Sequence, residues 1–131
     1  GEIDLMEYYD GSILANACWG TEKRYKANWD AVKVPIENFG GDNWDKAFHT
    51  WRMDWDSQSI QLYLDDVLLN TIDVEASVNP TASGRGPKYP FRQPHYLLLN
   101  LAIGGSQGGD PSRTQFPTRY EIDYVRVYQK K

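Results

Sequence analysis

The sequence is short of the features that mark several common protein classes. It has a single cysteine, Cys18, so no internal disulfide can staple it. No apolar run approaches the roughly 20 residues of a membrane span, so no membrane partner is expected. The opening Gly1-Glu2-Ile3-Asp4 is no signal peptide; an export signal, if there is one, lies upstream of it. Basic runs are missing and the formal net charge is −4, which argues against nucleic acid, because phosphate binding needs a basic face. There is no internal repeat, no low-complexity tract, and no stretch that reads convincingly as a helix.

Aromatic residues are plentiful: five Trp, nine Tyr and four Phe. Most are expected to fill a β-protein core, and several to line a cleft and stack on sugar rings, whose apolar C–H faces and polar edges suit Trp and Tyr. The 131 residues suit one domain. Residues 3–9 are apolar and β-prone and close on Asp10-Gly11, a strong turn signal. Residues 13–19 follow and close on Gly20, so the two runs read as a hairpin. The stretch 21–36 is mixed, with strands expected near Tyr25 and over 32–36, and 38–46 reads as loop. In 49–56, Trp51, Met53 and Trp55 alternate with Thr50, Arg52 and Asp54; Ile60, Leu62 and Leu64 alternate likewise, and Asp65-Asp66 reads as a hairpin turn into Val67-Leu68-Leu69. Residues 75–94 carry Pro80, Gly84, Gly86, Pro87, Pro90 and Pro94 and form a long loop, a frequent site of function. Residues 95–103 are almost continuously apolar, which predicts a strand buried on both faces, and 120–128 predict a last strand. Short strands with Gly and Pro punctuation imply an all-β sandwich or barrel.

The chemistry concentrates in Glu2-Ile3-Asp4-Leu5-Met6-Glu7, three carboxylates in an otherwise apolar strand. Alternation puts Glu2 and Asp4 on one face and Glu7 on the other; a one-residue bulge at Leu5-Met6 returns Glu7 to the first. Three like charges on one face repel, which sheet stability does not ask for. A retaining glycosidase does, since it works with two carboxyls about 5–5.5 Å apart, one nucleophile and one acid/base. A hydrogen bond between Asp4 and Glu2 would help separate their pKa values. On spacing alone, a solvated acidic strand face or a Ca²⁺ site competes with this reading.

The segment from Glu2 to Tyr8 resembles the catalytic signature of glycoside hydrolase family 16 in its bulged E-x-D-x-x-E form. Tyr96-Leu97-Leu98-Leu99-Asn100-Leu101-Ala102-Ile103-Gly104-Gly105 resembles that family's late core strand and Gly-rich loop, and Phe116-Pro117 with Tyr120-Glu121-Ile122-Asp123-Tyr124-Val125-Arg126-Val127-Tyr128-Gln129 resembles its closing strand. The resemblance implies a concanavalin A-like jelly-roll β-sandwich with a cleft on its concave sheet. It implies Glu2 as nucleophile, Glu7 as general acid/base and Asp4 as the residue assisting the nucleophile. No cofactor is then required for catalysis. Asp123 matches a position that can bind a structural calcium, and Asn16, Trp19 and Asn100 are candidate substrate contacts. The bulged signature goes with laminarinase-like β-1,3-glucanases, agarases, porphyranases and carrageenases, and the expected partner is such a polysaccharide, met outside the cell or in the periplasm. Laminarinases usually carry a His in the strand after the motif; here it reads Asn16-Ala17-Cys18-Trp19.

In the family the signature lies near the middle of the domain. The resemblance thus implies that residues 1–131 are the C-terminal part of one catalytic domain whose earlier strands are supplied by a companion chain, by self-association, or not at all. A non-catalytic glycan-binding sandwich and an inactive half-domain are the competing functional readings.

Overall fold

The computed structural model describes residues 1–80 and 86–130, the side chain of Asp42 aside. The chain divides into two units, Gly1–Tyr96 and Leu97–Lys131.

The first unit packs two antiparallel three-stranded sheets against each other. The first sheet runs in order β1 (Glu2–Tyr9), β2 (Ser12–Gly20) and β3 (Ala27–Pro35). The second runs β4 (Trp51–Trp55), β5 (Ser59–Leu64) and β6 (Val67–Asp73). Both predicted hairpin turns form with paired left-handed residues, Asp10 (φ 51°) and Gly11 (φ 62°) in one, Asp65 (φ 47°) and Asp66 (φ 65°) in the other. Such turns match the twist of the flanking strands. The mixed stretch resolves differently from expectation. Tyr25 sits in the connection before β3 at φ 60°, and β3 is one continuous strand. Its inward residues Asp30, Val32 and Val34 alternate with exposed ones, as befits a strand at a sheet edge. The expected loop over 38–46 is wound into 3-10 turns, Ile36–Phe39 and Gly41–Lys46.

The core lies between the sheets. Ala15 and Ala17 of β2 meet Ile60 and Leu62 of β5, Ile72 of β6, Val74 and Phe91, with Ile3, Leu5, Trp19 and Leu69 packed around them. The small β2 residues let the sheets approach. One polar tie crosses this layer: Asn70 of β6 donates through Nδ2 to the Ala15 carbonyl at 3.0 Å and to Asp30 Oδ1 at 3.1 Å. A buried amide must be satisfied in this way, so it fixes the sheets' relative register. At the hairpin end, His49 bridges Asp65 Oδ2 (2.6 Å) and the Trp44 carbonyl (2.7 Å) and stacks on the Trp44 ring. Partial burial opposes its charge, but the Asp65 hydrogen bond and the Trp44 carbonyl outweigh that and raise its pKa.

The long loop expected over 75–94 is present, with residues 81–85, including Gly84, outside the described residues. It is pinned to β2 by Asn79, whose Oδ1 accepts from the Gly20 N–H at 2.7 Å and whose Nδ2 donates to the Pro87 carbonyl at 2.8 Å. Phe91 enters the core, where Trp19 meets it edge-on. Gly1 lies so close to this loop that a Cβ there would stand 2.7 Å from the Phe91 ring and 2.9 Å from Pro90.

The second unit corrects two expectations. Neither 95–103 nor 120–128 forms a strand; the described residues of 97–130 hold only a helical turn, Gly105–Gly108, and a 3-10 turn, Pro111–Arg113. Leu97, Leu98, Leu99, Leu101 and Ile103 are exposed, not buried on both faces. The reason is that a strand exists only as half of a ladder. Among the described strands, none pairs with these segments, so their β-propensity has nothing to act through.

Candidate active site

The three carboxylates of β1 are gathered by its pairing with β2. Glu2 stands opposite Cys18, Asp4 opposite Asn16, and Glu7 opposite Leu14, with a register shift between Asp4 and Glu7. Leu5 and Met6 therefore share the single partner position Ala15, which is the bulge predicted from the parity of Glu7. Residues opposite each other in a ladder point to the same face. Glu2, Asp4 and Glu7 thus lie on one face, and Ile3 and Leu5 turn to the core on the other.

Asn16 underlies this row. It is 3% exposed, and both ends of its amide are engaged: Nδ2 donates to Glu7 Oε2 at 3.3 Å, and Oδ1 accepts from the Val32 N–H at 3.2 Å. The second bond makes the first directional, because it fixes which way the amide points. Asp4 lies between the two glutamates. Burial, then the charges of Glu7 and Glu2, then a hydrogen bond with the Glu2 carboxyl push its pKa up to about 7, with the Asn16 amide opposing. Asp4 Oδ2 is buried and receives no hydrogen bond from any described N–H or O–H. An ionised carboxylate there would leave an unpaired buried acceptor; a proton on Asp4, shared with Glu2, removes that cost. Cys18, beside Glu2, is held as a neutral thiol by burial and by the charges of Glu2 and Asp4, which push it up to about 11. A shallow pocket lined by Gly1, Glu2, Cys18, Trp19, Gly20 and Ala27 opens at this end of the row.

Residues 11–126 match the sequence profile of glycosyl hydrolases family 16. The chain belongs to glycosyl hydrolase family 16. Its β-sandwich agrees with a solved structure, LamAcat from Zobellia galactanivorans, at a TM-score of 0.60 and 28% identity over 85% of this chain and 39% of that one. A β-glucanase of Rhodothermus marinus is 37% identical over 98% of this chain and 44% of its own length. A β-1,3-glucan-binding protein of Penaeus monodon is 33% identical over 85% of this chain and 35% of its own length. The chain thus spans less than half of each of these relatives.

In this family 16 chain the other candidates fall apart into distinct places. Trp19, one residue beyond Cys18, has the opposite parity; its ring packs at the core against Phe91, away from the carboxylate face. Asn100 and Asp123 lie exposed in the second unit. Among the described residues no group of three His, Cys, Asp or Glu could hold a metal ion, and Asp123 has no such companions. His95 is held structurally, its Nδ1 bonded to the Gln93 carbonyl at 2.9 Å and its ring edge-on to Trp55. The sequence reading passed over two residues of the carboxylate face. The register carries on from β2 to β3, pairing Cys18 with Trp29 and Leu14 with Lys33. Their signal was parity, but it becomes readable only once β3 is one unbroken strand.

Proposed function

We propose that this chain supplies the catalytic carboxylates of a retaining endo-β-glycosidase that cleaves β-glucans, with β-1,3-glucan as the favoured substrate and agar, porphyran or carrageenan as the marine-galactan alternatives. The observation that carries the proposal is the row itself: a bulge puts Glu2, Asp4 and Glu7 on one face, and the middle acid is pushed up to about 7. Glu2 attacks the anomeric carbon to form a glycosyl-enzyme, while Glu7 protonates the departing glycosidic oxygen and afterwards draws a proton from the attacking water. Asp4, protonated below about pH 7, hydrogen-bonds Glu2 and follows the changing charge on that oxygen as the covalent bond forms and breaks. Asn16 aims Glu7. A polymeric glycan is met outside the cytoplasm, so we place the protein as secreted or periplasmic; no helix among the described residues is long and apolar enough to cross a membrane. Completion of the cleft by a companion chain or a second copy belongs to the same proposal.

The similarity to the Penaeus monodon binding protein supports a second reading, a glycan binder on the same sandwich. Release of reducing ends from laminarin, lichenan, agarose, porphyran and carrageenan separates the two. The enzyme reading expects release from at least one polymer, abolished in Glu2→Gln, with the anomeric configuration retained in early products by NMR. Inverted product, or hydrolysis surviving in Glu2→Gln, refutes the assigned roles.

A further inference from the structure

We infer that Trp29 is the sugar platform of a subsite two strands away from the carboxylate row, an inference that deepens the glycosidase reading and rests on its assignment of the glycan-facing side. The argument begins with register. Glu2, Cys18 and Trp29 form one cross-strand line through β1, β2 and β3, so the indole leaves the sheet on the same face as the carboxylates. Two strand spacings separate the Trp29 backbone from that of Glu2, about 10 Å. That is too far to touch the sugar being cleaved at Glu2, and it suits a neighbouring sugar of a chain laid across the strands.

The surroundings of Trp29 point the same way. It is 54% exposed, although Trp is among the side chains that lose most by standing in water. Among the described residues no ring and no hydrogen-bonding group engages its side chain, whereas Trp19, Trp44, Trp51 and Trp55 all have ring partners. Its strand neighbours on that face are Ala27 and Ala31, with Lys33 one step beyond Ala31. Ala31 stands opposite Asn16, and so a small side chain floors the space between the Trp29 and Lys33 positions. Lys33 itself is tied to Asp10 at 2.9 Å. An apolar plate beside a low floor on one edge strand gives a sugar a face to stack on. The ligand is one ring of a neutral or sparsely substituted β-linked glycan, since stacking needs a C–H face left open.

The test is affinity electrophoresis of the chain through gels containing laminarin, lichenan, agarose, porphyran or carrageenan. Wild type, Glu2→Gln, Trp29→Ala and Trp29→Phe are compared, with circular dichroism to show that each is folded. The expected result is retardation of wild type and Glu2→Gln by at least one polymer, with affinity weakened about tenfold or more in Trp29→Ala and largely restored in Trp29→Phe. Unchanged affinity in Trp29→Ala, equal loss in Trp29→Phe, or no retardation of the wild-type chain by any of the polymers overturns the inference. Trp29-dependent binding by a chain that releases no reducing ends leaves the subsite standing and removes the hydrolytic reading alone.

Discussion

Asp4→Asn isolates the charge at the centre of the carboxylate row. The folded carboxyl titrates at about 7 against an ordinary value of 3.8. A carboxyl whose pKa is raised on folding favours the folded state most at low pH; that contribution is fully present below 3.8 and is lost as pH rises through about 7. The interval between the two values corresponds to about 4 kcal/mol if it were fully expressed. Asp4 is only half-buried, and screening by water reduces the expectation to about 1–2 kcal/mol. Asparagine is a neutral analogue of the protonated acid. At about pH 3.5 the two proteins should therefore unfold at similar urea concentrations, and at about pH 8.5 the variant should be the more stable by about 1–2 kcal/mol. Groups elsewhere titrate alike in both proteins and cancel. A stability difference that stays the same at the two pH values would refute the reasoning, because it would mean that folding leaves the Asp4 carboxyl at its ordinary pKa. The same variant should lose most hydrolysis despite its gain at high pH, since it keeps a hydrogen bond to Glu2 but can no longer vary its proton.

Asn16→Ala should lower kcat for reducing-end release by about 100-fold with little change in KM, because Glu7 loses its aim and not its sugar; a raised KM at unchanged kcat would make Asn16 a sugar contact instead. Asn79→Ala should cost about 2–3 kcal/mol in urea unfolding, as it strips partners from the Gly20 N–H and the Pro87 carbonyl. An unchanged midpoint would show that the loop is not pinned there.

The parts of the fold that were legible in the sequence are those decided locally. Asp10-Gly11 and Asp65-Asp66 are turn pairs by their own backbone preferences, and both form as such. Ile60, Leu62 and Leu64 alternate because one face of β5 is buried, and each is at most 1% exposed. The bulge was legible because Glu7 has the wrong parity for a site that otherwise makes chemical sense. Features that depend on a distant partner were not legible. β3 looked broken because its exposed face mixes Ala27, Trp29, Ala31 and Lys33 as an edge strand can, and Trp29 stayed hidden with it. Residues 95–103 are almost continuously apolar and still form no strand, since a hydrophobic run cannot supply the neighbouring ladder. Asn16 and Trp19 were separable in principle by parity; which of them faced the carboxylates followed from the Asp4–Asn16 pairing.

The bulge has a consequence for how this strand tolerates change. Counted along β1, the acids are unevenly spaced, but their partners on β2 are Cys18, Asn16 and Leu14, in strict steps of two. The ruler for the row is therefore β2, and β1 only has to fit it. Loss of Leu5 or Met6 from β1 would remove the slack and leave the acids in the same cadence on the same face. Loss of a single residue between Leu14 and Cys18 would put the ruler itself out of step, turning the amide that holds Glu7 toward the core. Length variation can thus accumulate in the strand that carries the chemistry, while the strand that carries none of it must keep its count.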